Sequence, residues 1–127
     1  MSWRLWSLVE ASIQQKKGAL IVITNDAEEE AARLGGQSTR IKPVKVTAPD
    51  MELRTSIDGA VLLGQEGVCH AVGVILDGIA TGVGDSSRGA RYNSALRYVE
   101  GRTHCMAVVV SEDGMIDLVP DAGDRSQ

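Results

Sequence analysis

Two unbroken apolar runs, Ala19–Ile23 and Met106–Val110, set the frame for this 127-residue chain. Each has the length of a strand and falls far short of the roughly 20 residues a membrane span needs. An unbroken apolar run buries both faces of a strand, where alternation would bury only one. Such strands call for a sheet flanked by helices. A chain of this length fits one domain and buries roughly two-thirds of its unfolded surface. Phe is absent, and the four aromatics are Trp3, Trp6, Tyr92 and Tyr98. The core is therefore built from Val, Ile, Leu, Ala and Met.

The remaining segments order themselves around the two runs. Leu5, Trp6, Leu8, Val9 and Ile13 recur at helical spacing and predict a helix over 3–16, with Gly18 as its cap. After a strand at Ala19–Thr24, Asn25 or Asp26 starts a helix over about 27–34. Its first turn carries Glu28, Glu29 and Glu30, which complement the helix dipole. Thr39–Val46 contains Pro43 and reads as an edge strand. Pro49 opens a short helical turn through Arg54. Ala60–Leu63 and Val68–Leu76, joined by Gly64-Gln65-Glu66-Gly67, read as a β-hairpin. A polar loop over 77–89 leads into a helix at Ala90–Val99. Strands at Ala107–Val110 and Met115–Val119 flank a turn at Glu112-Asp113-Gly114. The expected fold is a single α/β domain over 1–120, a mixed twisted sheet flanked by helices, with a disordered tail over 121–127.

The net charge of −4 and the pI near 5.1 argue against wholesale binding to a nucleic-acid backbone. Met1–Leu5 shows no signal-peptide pattern, and two cysteines make no disulfide framework. A cytoplasmic domain without a membrane segment is expected.

Four stretches could carry chemistry. Asp58-Gly59-Ala60 lies where a helical turn gives way to a strand. It reads either as an ordinary Asp-Gly turn or as a carboxylate beside an approachable backbone. The stretch Gly84–Ser94 runs a Gly- and Ser-rich loop into a helix start, where unpaired N–H groups and the helix dipole favour an anion. Arg88 and Arg91 add fork-shaped donors for phosphate, and Tyr92, Asn93 and Ser94 add polar contacts. The stretch fits neither a Walker A loop nor a dinucleotide fingerprint. Ser111-Glu112-Asp113-Gly114 reads as a hairpin turn or as acids for a hard metal. Cys69-His70 and His104-Cys105 mirror each other, but neighbours on a strand point to opposite faces, which argues against a zinc site.

Taken together, Asp-Gly-Ala, a hairpin, Gly-x-Arg opening a helix and Val-Val-Ser-Glu-x-x-Gly after a strand resemble the diadenylate cyclase domain. That is the nucleotide-binding domain of the DNA-integrity scanning protein and its relatives. The resemblance runs from the first helix and Gly18-Ala19-Leu20-Ile21-Val22-Ile23 to about Val119. It implies condensation of two ATP into cyclic di-AMP with release of pyrophosphate, using Mg²⁺ or Mn²⁺. It further implies homo-oligomers with face-to-face sites. By the same resemblance, Asp58 lies near the ribose 3′-hydroxyl and the metal, with Gly59 and Ala60 on that wall. Leu76 and Asp77 fall beside the adenine. Gly89, Ala90 and Arg91 take the Gly-Thr-Arg part of a Gly-Thr-Arg-His-Arg phosphate loop. Ser111 and Glu112 match a Ser-Glu-Glu segment that meets nucleotide and metal.

The chain departs from that pattern at three places. Tyr92-Asn93 replaces His-Arg, Ala90 replaces the threonine, and Asp113 replaces the second glutamate. Each lost charged hydrogen bond is worth roughly 1.5–3 kcal/mol. The expected function is nucleotidyl transfer, and the alternative is a non-catalytic sensor of a nucleotide or cyclic dinucleotide on the same scaffold.

Overall fold

The computed structural model describes residues 3–13, 18–34, 39–55, 59–77 and 89–120. In chain order the elements are α1 (Trp3–Ser12), β1 (Ala19–Thr24), α2 (Ala27–Arg33), β2 (Thr39–Lys45) and α3 (Ala48–Arg54). There follow β3 (Ala60–Leu63), β4 (Val68–Val74), α4 (Ala90–Val99), β5 (Cys105–Val110) and β6 (Ile116–Val119). The strands form one six-stranded sheet in the order β2-β4-β3-β1-β5-β6. β1 and β3 run parallel, and every other pairing is antiparallel. The expected mixed sheet flanked by helices is what the chain forms.

The middle of the sheet is almost wholly apolar. All six residues of β1 are buried, as are all four of β3. These are the two central strands, covered on both faces. One face packs Leu20, Val22, Leu62, Ala71 and Val109 against α2 and α4, through Ala27, Ala31, Ala95 and Tyr98. The other packs Ile21, Ile23, Val61, Leu63 and Val108 against α1 and α3, through Leu5, Leu8, Val9 and Met51. Each buried Val, Leu or Ile side chain contributes about 1.5–3 kcal/mol on leaving water. With no Phe available, small residues on the helices let them sit close to the sheet.

Pro43 lies on β2, the edge strand, where its missing N–H costs no ladder bond, and the register shifts between Arg40 and Val44. The β3–β4 hairpin closes through Gly64 N–H to Val68 O at 2.9 Å. Several boundaries differ from the sequence reading. Helix α1 ends at Ser12 rather than near residue 16, and Gly18 stands directly before β1 with φ +82°. β4 ends at Val74 rather than Leu76, and β6 starts at Ile116 rather than Met115. β5 starts at Cys105, two residues before the expected Ala107, because it pairs with all of β1. The sequence-predicted loop over 78–88 and the tail from Asp121 lie outside the described residues.

The register fixes which motifs share an end of the sheet. Ala19 pairs with Val110 and Leu20 with Ala60, while Ala60 also pairs with Val74. Gly18, Gly59, the segment after β4 and the turn after β5 therefore gather at one end.

Candidate functional site

At that end lies a cleft of about 380 Å³, lined by Gly89, Ala90, Arg91 and Tyr92 on one side and Val109–Asp113 on the other. It brings together two of the sequence motifs, the start of α4 and the Ser-Glu-Asp turn, which lie well apart in the chain.

The α4 wall follows from its first residue. Gly89 has φ +90° and stands at the N-cap, where it offers no side chain to cap the helix. The first turn's N–H groups have no intrahelical acceptors and carry the positive end of the helix dipole. Asn93 Nδ2 donates back to Gly89 O at 3.0 Å, parallel to the helical bond from Asn93 N–H to the same oxygen. Tyr92 is half-buried and packs against the α2/α4 core alongside Leu76. The two residues that replace His-Arg thus supply no cation here. Ser94, half-buried one position on, is not part of the cleft wall.

The opposite wall is a tight turn between β5 and β6. Ser111 N–H donates to Met115 O at 2.9 Å and Gly114 N–H to Ser111 O at 3.0 Å, with Gly114 at φ +87°. Ser111 Oγ donates to Asp113 Oδ1 and accepts from Met115 N–H. The Ser111 bond, helped by the Met115 N–H, holds the Asp113 carboxyl below the usual carboxylate range. Asp113, though exposed, is thus engaged in shaping the turn, and Glu112 is a second exposed carboxylate beside it. The stretch forms the expected hairpin turn, and that turn is one wall of the cleft.

The other sequence-predicted residues are placed as follows. Gly59, with φ +97°, leads into β3, and a Cβ there would stand 2.7 Å from Gly73 C. Its glycine is required by the close crossing of β3 and β4, whatever else approaches it. Ala60 is fully buried. Leu76 packs on the α2/α4 core. Asp77 receives both Nη groups of Arg33, the Nη2 bond at 2.8 Å, and this pairing holds its carboxyl below the ordinary range. Asp58 and Arg88 lie outside the described residues. Cys69 is buried on the α1/α3 face while Cys105 packs on the other, and β3 and β1 lie between their strands. Among the described residues no three His, Cys, Asp or Glu side chains gather as a metal site.

One polar cluster escapes the sequence reading. Glu30, nearly buried, accepts from Arg33 Nε at 2.8 Å and Nη2 at 2.7 Å, from Tyr98 Oη, and pairs with Arg102 Nη2 at 3.1 Å. Arg33 chiefly depresses the Glu30 pKa, and burial chiefly raises that of Tyr98. Arg102 also lies 4.2 Å over the Tyr98 ring. Glu30 and Tyr98 are far apart in the chain, so no local pattern marks the pair.

The structure thus defines an α/β domain with a small cleft between a glycine-led helix start and an acidic turn at one end of its sheet. Residues 8–122 match the family model described as DisA bacterial checkpoint controller nucleotide-binding, or DAC, and the chain belongs to that family. Among solved structures it resembles a double-cysteine mutant of DacA from Staphylococcus aureus. The TM-score is 0.69 at 18% identity, over 90% of this chain and 79% of that one. It also resembles a hypothetical membrane-spanning protein from Bacillus cereus, with a TM-score of 0.64 at 23% identity. That match covers 91% of this chain and 57% of the other. No curated protein matches it in sequence. Among the described residues no helix is long and apolar enough to cross a membrane.

Proposed function

We propose that this chain binds ATP in the cleft and joins two ATP molecules into cyclic di-AMP. The observation that best supports this is the cleft itself, where the first turn of α4 and Arg91 oppose Ser111 and Glu112. The triphosphate lies along the α4 start, taken up by backbone N–H groups and the Arg91 fork. Each 3′-hydroxyl oxygen bonds to the α-phosphorus of the other nucleotide and loses its proton. The bond from that phosphorus to the pyrophosphate oxygen breaks, and two pyrophosphates leave. Arg91 and the helix start stabilise the charge that builds on the leaving group. Asp58 orients the attacking hydroxyl, Gly59 walls the ribose with Ala60 buried behind it, Leu76 lies beside the adenine, and Ser111 contacts the nucleotide.

A divalent cation fits the donors at hand. Mg²⁺ takes one or two carboxylates and completes its shell from water and substrate phosphates, so it needs no dedicated protein cage. Glu112, with Asp58, would hold Mg²⁺ or Mn²⁺, which when bound neutralises phosphate charge and acidifies the hydroxyl. One cleft takes one ATP, so a cyclic product requires two copies of the chain facing each other.

A second reading, a nucleotide or cyclic-dinucleotide sensor, draws on Asn93. Its amide is bonded to Gly89 O, at the place where the family's loop carries a cation. Incubation with ATP and Mn²⁺ separates the two. Cyclic di-AMP detected by mass supports the cyclase, and nucleotide binding without product at any metal supports the sensor.

A further inference from the structure

The cap expected of Gly18 does not account for where it lies. It stands outside α1, directly before β1, with φ +82°. A Cβ placed on it would lie 2.9 Å from Val110 O, 3.0 Å from Arg91 Nη1 and 3.1 Å from Arg91 Cζ. The guanidinium of Arg91 therefore occupies the space that any side chain at position 18 would fill. Val110 and Arg91 both line the cleft, and Gly18 itself does not.

We infer that Gly18 is a positioning residue. Its bare backbone forms a seat that holds the Arg91 guanidinium against the end of β5, aimed at the cleft. The inference rests on the nucleotide reading for its consequence but not for its geometry. A long arginine side chain has many rotamers, and seating it in advance removes much of the entropy lost when it grips a ligand. A planar fork can lie flat on a glycine, whereas any Cβ would push it off by a few tenths of an ångström. The positive φ independently disfavours every L side chain at this position.

Gly67 provides the control. It has φ +84°, and its Cβ would lie 2.9 Å from Arg4 Nε. The strain and the displaced arginine are alike, but Arg4 donates to Glu66 O and Val46 O at the opposite end of the sheet. Gly67→Ala therefore reproduces the backbone strain and the displaced arginine of Gly18→Ala away from the cleft, though not the 2.9 Å approach to Val110 O, and the Arg91→Ala background isolates that last effect.

Two readouts test the seat. In ligand-free protein, the Arg91 Nε–H is followed by proton–nitrogen correlation spectra, with its signal assigned by its loss in Arg91→Lys. A slowly exchanging signal is expected in wild type and Gly67→Ala and a rapidly exchanging one in Gly18→Ala. Calorimetry with ATP and Mn²⁺ should show at least tenfold weaker binding for Gly18→Ala and less than twofold change for Gly67→Ala. In an Arg91→Ala background, Gly18→Ala should add nothing. An unchanged Arg91 signal in folded Gly18→Ala, or a further loss of affinity in the Arg91→Ala background, overturns the inference. If Gly18→Ala does not fold, the wild-type spectrum decides, because an Nε–H exchanging as fast as that of free arginine contradicts a seat. If wild type binds no ATP, the nucleotide reading fails, and the spectra still judge the seat by themselves.

Discussion

At its last turn, α4 hands Tyr98 to Glu30, which also takes Arg33 and Arg102, while Arg33 reaches on to Asp77. At its first turn, the same helix presents Gly89, Ala90, Arg91 and Tyr92 to a cleft. In the first region opposite charges meet inside the chain. The network ties α2, α4 and the segment after β4 together and needs no ligand to be complete. In the second region the local bonds shape the walls: Asn93 closes on Gly89 and Ser111 on Asp113. What these walls present is an arginine, an exposed carboxylate and a helix start, groups that suit a phosphate and its counter-ion. Polar residues of the same types thus tie elements together in one region and line a cleft in the other.

That contrast can be broken or sharpened by substitution. The largest effect is expected at Asp58. Asp58→Asn, a nearly isosteric change, should abolish cyclic di-AMP formation while changing stability by no more than about 1 kcal/mol. Product mass and a thermal melt measure the two quantities, and retention of most activity would displace the proposed site. Glu30→Ala should do the reverse. Removing this buried acid, whose arginine partners are partly exposed, should cost about 2 kcal/mol in a melt, the scale of a charged hydrogen bond. ATP affinity of the folded fraction should stay within about twofold, since Glu30 does not line the cleft.

Arg91→Ala should weaken ATP binding by about 2 kcal/mol, the scale of a charged hydrogen bond, with little change in Tm. A Tm fall as large as that of Glu30→Ala would place Arg91 with the structural network instead. The smallest effect is in pH. The Glu30 carboxyl titrates below its ordinary 4.5 because Arg33, Tyr98 and Arg102 favour its charged form over the opposing effect of burial. Its stabilisation is therefore full above the ordinary value of 4.5 and lost as pH falls through the lower folded value. Tm should drop below pH 4.5, and Glu30→Gln should flatten that limb. Tyr98 works in the other direction, since burial and the Glu30 bond raise its pKa above 10, so stability should also fall in strong alkali.

The two regions also differ in how far the sequence alone reveals them. The sheet is legible because the apolar stretches Ala19–Ile23 and Met106–Val110 announce strands inside a sheet, and β1 and β5 form there, neither at an edge. Pro43 likewise announces an edge. The cleft is legible in part. Gly89-Ala90-Arg91 and Ser111-Glu112 can be paired through their order along a resembling family, and the register of β1 with β3 and β5 brings their elements to one end. The Glu30 network is not legible, because Tyr98, Arg102 and Asp77 come from distant parts of the chain. An acid in a helix's first turn also has a local reason to be there already. Gly18 reads as a helix cap for the same reason, a local explanation that suffices until Arg91 is seen beside it.

The central claim is that nucleotide phosphates occupy the start of α4 opposite the β5–β6 turn. A crystal structure of the chain with a non-hydrolysable ATP analogue tests it directly. The account predicts phosphate oxygens within hydrogen-bond distance of backbone N–H groups at 89–92 and of the Arg91 guanidinium. Phosphates lying more than one helical turn from residues 88–94 would contradict it.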